Sequence, residues 1–203
     1  MMFRRFVSTL TKSCPSCARP LPTPLPACTT CGSISPIPPS VPFHDIFGLP
    51  SRPNPFVVDA QLLKRRFREA QAVCHPDTWA SKGQDKEDVA QALSARLNEA
   101  YTSLADPLLR AEYLLEQNGL AIAEGEQLDD VEFITEIMEM REAMDEAESA
   151  DEVARLVEEN AGKIAETVEV LSGAVGRSEW DAAKTAAVRL KYLSGIRAAG
   201  RER

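Results

Sequence analysis

The sequence predicts an all-α protein: a helical hairpin followed by a three-helix bundle, with a small cysteine-rich module at the N-terminus. Apolar residues recur at the spacing of amphipathic helices along most of the 203-residue chain. Alternation with a period of two is hard to find, and aromatic residues make up only 6% of the chain. No apolar run approaches the ~18 residues that a membrane span needs. We therefore expect a helical protein with one or two modest cores and no membrane partner.

The first thirteen residues predict a targeting segment. They are basic, hydroxyl-bearing, apolar in part and free of acidic side chains. This composition is typical of a mitochondrial transit peptide, and the longest apolar run is too short for a secretory signal. A disordered basic tail is the alternative. If import is correct, residues 1–13 belong to no fold and the protein acts in the mitochondrial matrix.

Two C-x-x-C pairs separated by ten residues predict a metal-binding module over residues 14–32. Each pair can wrap one edge of an ion, so that four thiolates complete a tetrahedron. Zinc is the expected metal, although four thiolates also accept iron. Two disulfides are the alternative, which an intracellular compartment disfavours. Gly32 would relieve the backbone where the second pair turns back. The predicted ligands are Cys14, Cys17, Cys28 and Cys31.

A proline-dense stretch at residues 33–40 predicts an extended linker. Together with the prolines between the two cysteine pairs, it is expected to uncouple the cysteine module from the helices that follow.

The next segment predicts two antiparallel helices with a His-Pro-Asp tip. The first helix, at 61–74, has one buried stripe and one basic face, and the second follows a polar stretch with a glycine. The expected buried positions are Leu63, Phe67, Ala70, Cys74, Leu93, Leu97, Tyr101 and Leu104. The basic face consists of Gln61, Lys64, Arg65 and Arg68. The fifth cysteine, Cys74, is most simply a small buried side chain.

The tripeptide His75-Pro76-Asp77 stands between these helices. Pro76 fixes its own φ and keeps the first helix from continuing, so its neighbours project from a stiff loop. With Phe43–Pro50 and Leu97–Pro107 at fitting distances on either side, residues 41–117 resemble a J-domain, the module that activates DnaK-type chaperone ATPases. The resemblance implies contact with such a chaperone through His75, Pro76 and Asp77, and we expect Lys64, Arg65 and Arg68 to steer it.

An enzyme would need His75 and Asp77 as a catalytic pair. Two residues apart across a proline, they are expected to face different directions, and His44 is the one other histidine of the chain. We therefore predict that the protein is not an enzyme.

Charge is distributed unevenly. Residues 124–203 carry ten basic and twenty acidic side chains within an overall net charge of −8. Because phosphate contacts need a basic footprint, the chain is a poor candidate for binding nucleic acid along its length.

After a polar connection at 118–128, residues 129–203 predict the three-helix bundle. In its first helix, one stripe at core spacing consists of Phe133, Ile137, Met140 and Met144. Ile134 and Met138 form a second stripe, bordered by Glu139 and Glu142. The second stripe either widens the core or forms an apolar docking patch ringed by negative charge. Two further helices are expected at about 151–171 and 178–199, and in the last of them Tyr192 falls off the stripe that contains Leu190.

From residue 41 to 200 the chain is similar to the HscB/Jac-type co-chaperones, on the motifs Asp106–Leu115, Phe133–Glu142 and Arg189–Leu193. The family implies a bundle that binds the iron–sulfur cluster scaffold protein and a J-domain that delivers it to a DnaK-type ATPase. The contact candidates that carry over are Ile134, Met138, Glu139, Glu142 and Tyr192. Thr135 stands where a larger apolar residue is expected. A general J-domain protein for unfolded clients and a zinc-ribbon nucleic-acid adaptor are the competing interpretations.

Overall fold

The computed structural model describes residues 12–123, 125–126 and 128–200. The predicted transit segment therefore lies, up to residue 11, outside the described residues. Contacts divide the chain into two compact units, the first holding residues 12–52 and 57–106 and the second holding residues 53–56 and 107–200. Each unit is described by itself.

The described residues are mainly helical, which confirms the predicted all-α class. The first unit contains β1 (Ala27–Cys28), β2 (Ser33–Ile34), α1 (Phe43–Phe47), α2 (Ala60–Cys74), α3 (Pro76–Trp79), a 3-10 turn (Ala80–Lys82) and α4 (Gln84–Ala105). The second unit contains α5 (Pro107–Gln117), α6 (Val131–Glu146), α7 (Ala150–Gly176) and α8 (Trp180–Ala199). Among the helices described, none is long and apolar enough to cross a membrane.

The hairpin of the first unit is built from α2 and α4, as the apolar stripes predict. Asp59 caps α2 by accepting hydrogen bonds from the Gln61 and Leu62 amides. The predicted core positions are buried or half-buried. Phe67 of α2 stacks on Tyr101 of α4 with ring centroids 4.3 Å apart. This pair joins the two helices along their apolar faces.

The expected independence of the cysteine module is wrong. β1 contacts α2, and β2 contacts α4, within the same compact unit. Leu25, between the two cysteine pairs, is fully buried. Arg96 of α4 donates to the Pro39 carbonyl (3.2 Å), so even the proline-dense stretch is attached. A short extended segment can hold a module against a surface when apolar side chains are buried beside it.

The second unit has two apolar clusters. In one, the faces of α5, α7 and α8 meet around Phe56, and the buried positions include Ala111, Leu115, Leu171 and Ala187. The resemblance to a J-domain covers residues 41–117 and so includes α5. In this structure, however, α5 packs on α8 of the second unit.

The segment 53–56 completes that cluster. Asn54 donates to the Ser172 carbonyl (2.8 Å), and Arg110 donates to the Phe56 carbonyl (2.7 Å). The Phe56 side chain is 2% exposed. Phe56, from the first half of the chain, thereby supplies part of the core of the second unit.

The other cluster lies where α6 meets α7 and α8. All four residues of the predicted first stripe of α6 are buried there, together with Leu193 and Ile196 of α8. Asn160 of α7 is fully buried and donates to the Leu193 carbonyl at 3.0 Å. A Ser149–Glu152 capping box starts α7.

Candidate functional site

The His-Pro-Asp loop begins where α2 ends. His75 has φ −58° and ψ 127°, the extended conformation required before a proline, and Pro76 is the first residue of α3. The Asp77 amide donates to His75 Nδ1 at 3.4 Å, so the imidazole caps the short helix. The His75 and Asp77 side chains are 57% and 91% exposed. The loop thus presents two polar side chains from a fixed backbone.

The prediction that the His75 and Asp77 side chains face different directions is wrong. His75 Nδ1 lies 3.6 Å from Asp77 Oδ2. The reason is local: the imidazole turns toward the Asp77 amide to cap α3, and this brings it beside the carboxylate of the same residue. The proximity makes a compact polar tip that a partner can contact as one group.

Trp79 anchors this tip, although it is not among the residues that the sequence predicts for it. The indole is fully buried, and its Nε1 donates to the Val73 carbonyl at 3.0 Å. The Lys82 ammonium lies 4.0 Å from the indole centroid on its face. The available signal was a large aromatic residue two positions after the motif, in a chain with two tryptophans.

The basic face of α2 is exposed at Lys64, Arg65 and Arg68. Arg65 makes a long contact with Glu69, 3.9 Å from Nε to Oε1. Such an exposed pair contributes little to stability, so the guanidinium stays usable by a partner. The predicted chaperone-contact residues thus lie on the helix that leads into the His-Pro-Asp loop.

The four N-terminal cysteines converge on one point. Their sulfur atoms all lie within 4.8 Å of one another, with Cys14 to Cys31 at 3.6 Å and Cys17 to Cys28 at 3.8 Å. A tetrahedron with metal–sulfur bonds of ~2.3 Å has edges of about 3.8 Å. These separations exceed the ~2.05 Å of a disulfide bond. The donor set therefore fits a tetrahedral metal ion that accepts thiolates.

The two cysteine pairs have equivalent backbones. The Ala18 amide donates to the Cys14 carbonyl and the Gly32 amide to the Cys28 carbonyl, both at 2.9 Å. Both residues have left-handed φ, 57° at Ala18 and 68° at Gly32. The predicted role of Gly32 is confirmed. At the first pair the same turn is made by an alanine, at a cost in conformational energy.

The backbone also favours thiolates at the first cysteine of each pair. Against the opposing effect of desolvation, the Cys17 and Ser16 amides lower the pKa of Cys14. The Cys31 amide lowers the pKa of Cys28 to about 6, together with the Thr30 amide. Cys31 behaves oppositely: although the Ser33 amide lowers its pKa, desolvation and the other three sulfurs raise it to about 12. A fourth thiolate in this cluster needs a cation to balance the charge.

The second stripe of α6 forms an apolar surface beside the core. Met138 is 66% exposed and Ile134 is half-buried. Glu139 and Glu142 are exposed next to them. Val131, one turn before Thr135, is 81% exposed and extends the same surface, although it is not among the residues predicted for it.

Tyr192 of α8 lies against the same cluster. Its ring meets that of Phe133 edge to face at 6.2 Å, and both Ile134 and Tyr192 pack on the α6 cluster. The expectation that Ile134, Met138 and Tyr192 are all freely accessible therefore holds fully for Met138 alone. Ile134 and Tyr192 have core contacts as well as exposed area, because each lies at the edge of the helix–helix seam.

The chain is similar to several known proteins. Residues 129–199 match the family model described as the HSCB C-terminal oligomerisation domain. The chaperone HscB from Vibrio cholerae is 29% identical, with 80% of this chain and 96% of that chain covered and a TM-score of 0.69. Human co-chaperone protein HscB is 27% identical, with 94% and 97% covered and a TM-score of 0.80. The Jac1 co-chaperone from Saccharomyces cerevisiae, at 20% identity, 80% and 98% coverage and a TM-score of 0.63, shares the fold.

The family model that matches residues 129–199 and the similar HscB structures point to one class of protein, the co-chaperones. Residues 129–199 carry the HSCB C-terminal domain, and the chain is similar to the HscB co-chaperones of Vibrio cholerae and human. Relatives that are co-chaperones fit the prediction of a protein that is not an enzyme. The match of human HscB over 94% of the chain extends the likeness beyond the bundle.

Proposed function

We propose that this co-chaperone stimulates the ATPase of a DnaK-type chaperone through His75, Pro76 and Asp77. The observation that carries the proposal is the exposed His75–Asp77 tip on a backbone fixed by Pro76 and Trp79. A stiff loop loses little conformational entropy on docking, so its polar groups can contribute to binding. Lys64, Arg65 and Arg68 supply positive charge on the adjoining helix, which steers association with an acidic surface.

The client that we propose is the iron–sulfur cluster scaffold protein, bound through Ile134, Met138, Glu139, Glu142 and Tyr192. An exposed methionine beside two half-buried apolar side chains, rimmed by carboxylates, has the composition of a protein-docking patch. The carboxylates favour a scaffold surface that is basic. Cluster transfer then follows delivery of the scaffold to the chaperone, and the family resemblance supports the mitochondrial matrix as the compartment.

We further propose that Cys14, Cys17, Cys28 and Cys31 hold zinc. Four sulfur atoms at tetrahedral spacing, two with lowered pKa values, favour a thiophilic divalent ion. A zinc ion in such a closed site stabilises the local fold and has no open position for catalysis.

The ATPase test uses the full-length protein, a mitochondrial DnaK-type chaperone and the scaffold protein. His75→Gln should abolish ATPase stimulation, while scaffold binding and the helical circular dichroism stay at wild-type level. Reversing Lys64, Arg65 and Arg68 to glutamate should weaken chaperone binding, with the largest effect at low salt because exposed charges are screened.

Two results would overturn parts of this proposal. Normal stimulation by His75→Gln removes the assigned role of the tip. Stimulation that is the same with or without the scaffold, combined with no measurable scaffold binding, leaves a co-chaperone for other clients.

A further inference from the structure

The second cysteine pair lies against the segment that follows the His-Pro-Asp motif. A Cβ placed on Gly32 would lie 3.6 Å from Lys86 Nζ and 3.8 Å from Lys82 Cδ. Both lysines are half-buried, and β2 contacts α4 in the same unit. A lysine ammonium therefore lies close to the backbone directly after Cys31.

A positive charge at this place suits the chemistry of the site. Four thiolates around a divalent ion carry a net charge of −2, which the protein must balance or solvate. A half-buried cation interacts more strongly with such a charge than an exposed one, because less water screens it. Groups outside the ligand shell that balance its charge raise metal affinity.

One of these lysines also contacts the anchor of the tip. Lys82 Nζ lies 4.0 Å from the Trp79 ring centroid, and Trp79 Nε1 donates to the Val73 carbonyl at 3.0 Å. Val73 belongs to the last turn of α2, two residues before His75. Lys82 thus lies near the backbone that follows Cys31 and also contacts Trp79, which is hydrogen-bonded to the end of α2.

We propose that Lys82 and Lys86 form a charge-balancing outer shell for the metal ion, and that metal binding thereby orders the segment Trp79–Lys86. The inference rests on the metal site proposed above. Because linkage is reciprocal, lysines that favour the metal-bound state are themselves held in place when the metal binds. The four-cysteine site then acts on the His-Pro-Asp tip, as well as on its own module.

The first test measures metal affinity in the full-length protein. Zn²⁺ affinity is obtained by competition with a chromophoric chelator, and Co²⁺ absorption reports tetrahedral thiolate ligation. The double variant Lys82→Gln, Lys86→Gln should bind Zn²⁺ about tenfold more weakly, the lower end of the range for outer-shell groups. The difference should shrink at high salt. Lys191→Gln, at an exposed position of α8, is the control for charge alone and should match the wild type.

The second test follows the segment itself. In a Trp180→Phe background, Trp79 is the sole tryptophan, so its emission reports on the anchor. Chelation of the metal should change Trp79 emission and speed amide exchange over residues 79–86 in the wild type. In the double variant the same region should exchange faster even with the metal bound.

The outcomes separate the two proposals. A wild-type protein that binds neither Zn²⁺ nor Co²⁺ refutes the metal site. Wild-type metal binding with equal affinity in the lysine double variant refutes the outer shell alone. Weaker binding by the double variant with no change in Trp79 emission or exchange refutes the coupling to the tip.

Discussion

Three methionines on α6 allow docking and packing to be separated with one type of substitution. Met138 is 66% exposed, whereas Met140 is 6% and Met144 is 2% exposed. Met138 lies on the proposed scaffold-binding surface, and Met144 lies in the α6 cluster. The substitutions Met138→Ala and Met144→Ala therefore remove the same atoms from the same helix in opposite environments.

The expected magnitudes follow from burial. Met144→Ala should lower the free energy of unfolding by about 2–5 kcal/mol, the range for a buried methionine truncated to alanine. Because Met138 is about one third buried, Met138→Ala should lose about one third of a transfer free energy of roughly 1.5–3 kcal/mol. The higher helix propensity of alanine offsets part of this loss. Its stability change should stay within about 1 kcal/mol. If Met138 is a central contact, scaffold affinity should fall by at least about 2 kcal/mol, or roughly thirtyfold.

Urea unfolding of the second unit gives the stabilities, and calorimetric titration with the scaffold gives the affinities. Truncating Ile134, Met138 and Tyr192 together to alanine would not separate docking from packing, because Ile134 and Tyr192 also pack on the core cluster. A Met138→Ala variant that is as unstable as Met144→Ala and still binds the scaffold normally would show that the second stripe belongs to the core. The reasoning from exposure would then be refuted.

Two further predictions concern the cysteines. Ala18 has a left-handed φ of 57°, where Gly32 has 68°. Ala18→Gly should therefore strengthen Zn²⁺ binding and Gly32→Ala should weaken it, each by roughly fivefold for about 1 kcal/mol of backbone energy. Competition with a chelator measures both affinities, and a change in the same direction for both variants would contradict the equivalent roles of these two residues. Burial raises the pKa of Cys74 to about 11, so its contribution to stability is fully present below the unfolded-state pKa of about 8.5 and is lost as pH rises through 11. Unfolding free energies at pH 8 and pH 10.5 should therefore diverge more for the wild type than for Cys74→Ala, and parallel pH profiles would refute this.

The sequence alone predicted those features of the structure that one local residue pattern determines. Apolar spacing predicted the buried faces of α2, α4 and α6, because burial on an amphipathic helix follows its period. The paired C-x-x-C spacing predicted four converging sulfur atoms, since the short loops leave few other arrangements. The left-handed turn at Gly32 followed from the same local geometry.

Features that depend on tertiary contacts were not predictable in this way. The proline-dense stretch indicated separation, yet Leu25 and Arg96 attach the cysteine module to the hairpin. The proximity of His75 and Asp77 depends on a side-chain rotamer chosen by helix capping. Trp79 carries no periodic signal, because the helical segments around it are too short to show one.

The four residues 53–56 have a consequence for how this protein can be divided. Neither compact unit is a continuous stretch of chain, because the Phe56 side chain fills the core of a unit whose other described residues begin at 107. A fragment cut before Pro107 would carry an uncovered Phe56, and the complementary fragment would have a hole of phenylalanine size. During synthesis, Phe56 leaves the ribosome long before α8, whose residues cover it. The second unit can therefore close only when the chain is nearly complete, and an exposed aromatic side chain is available to other proteins until then.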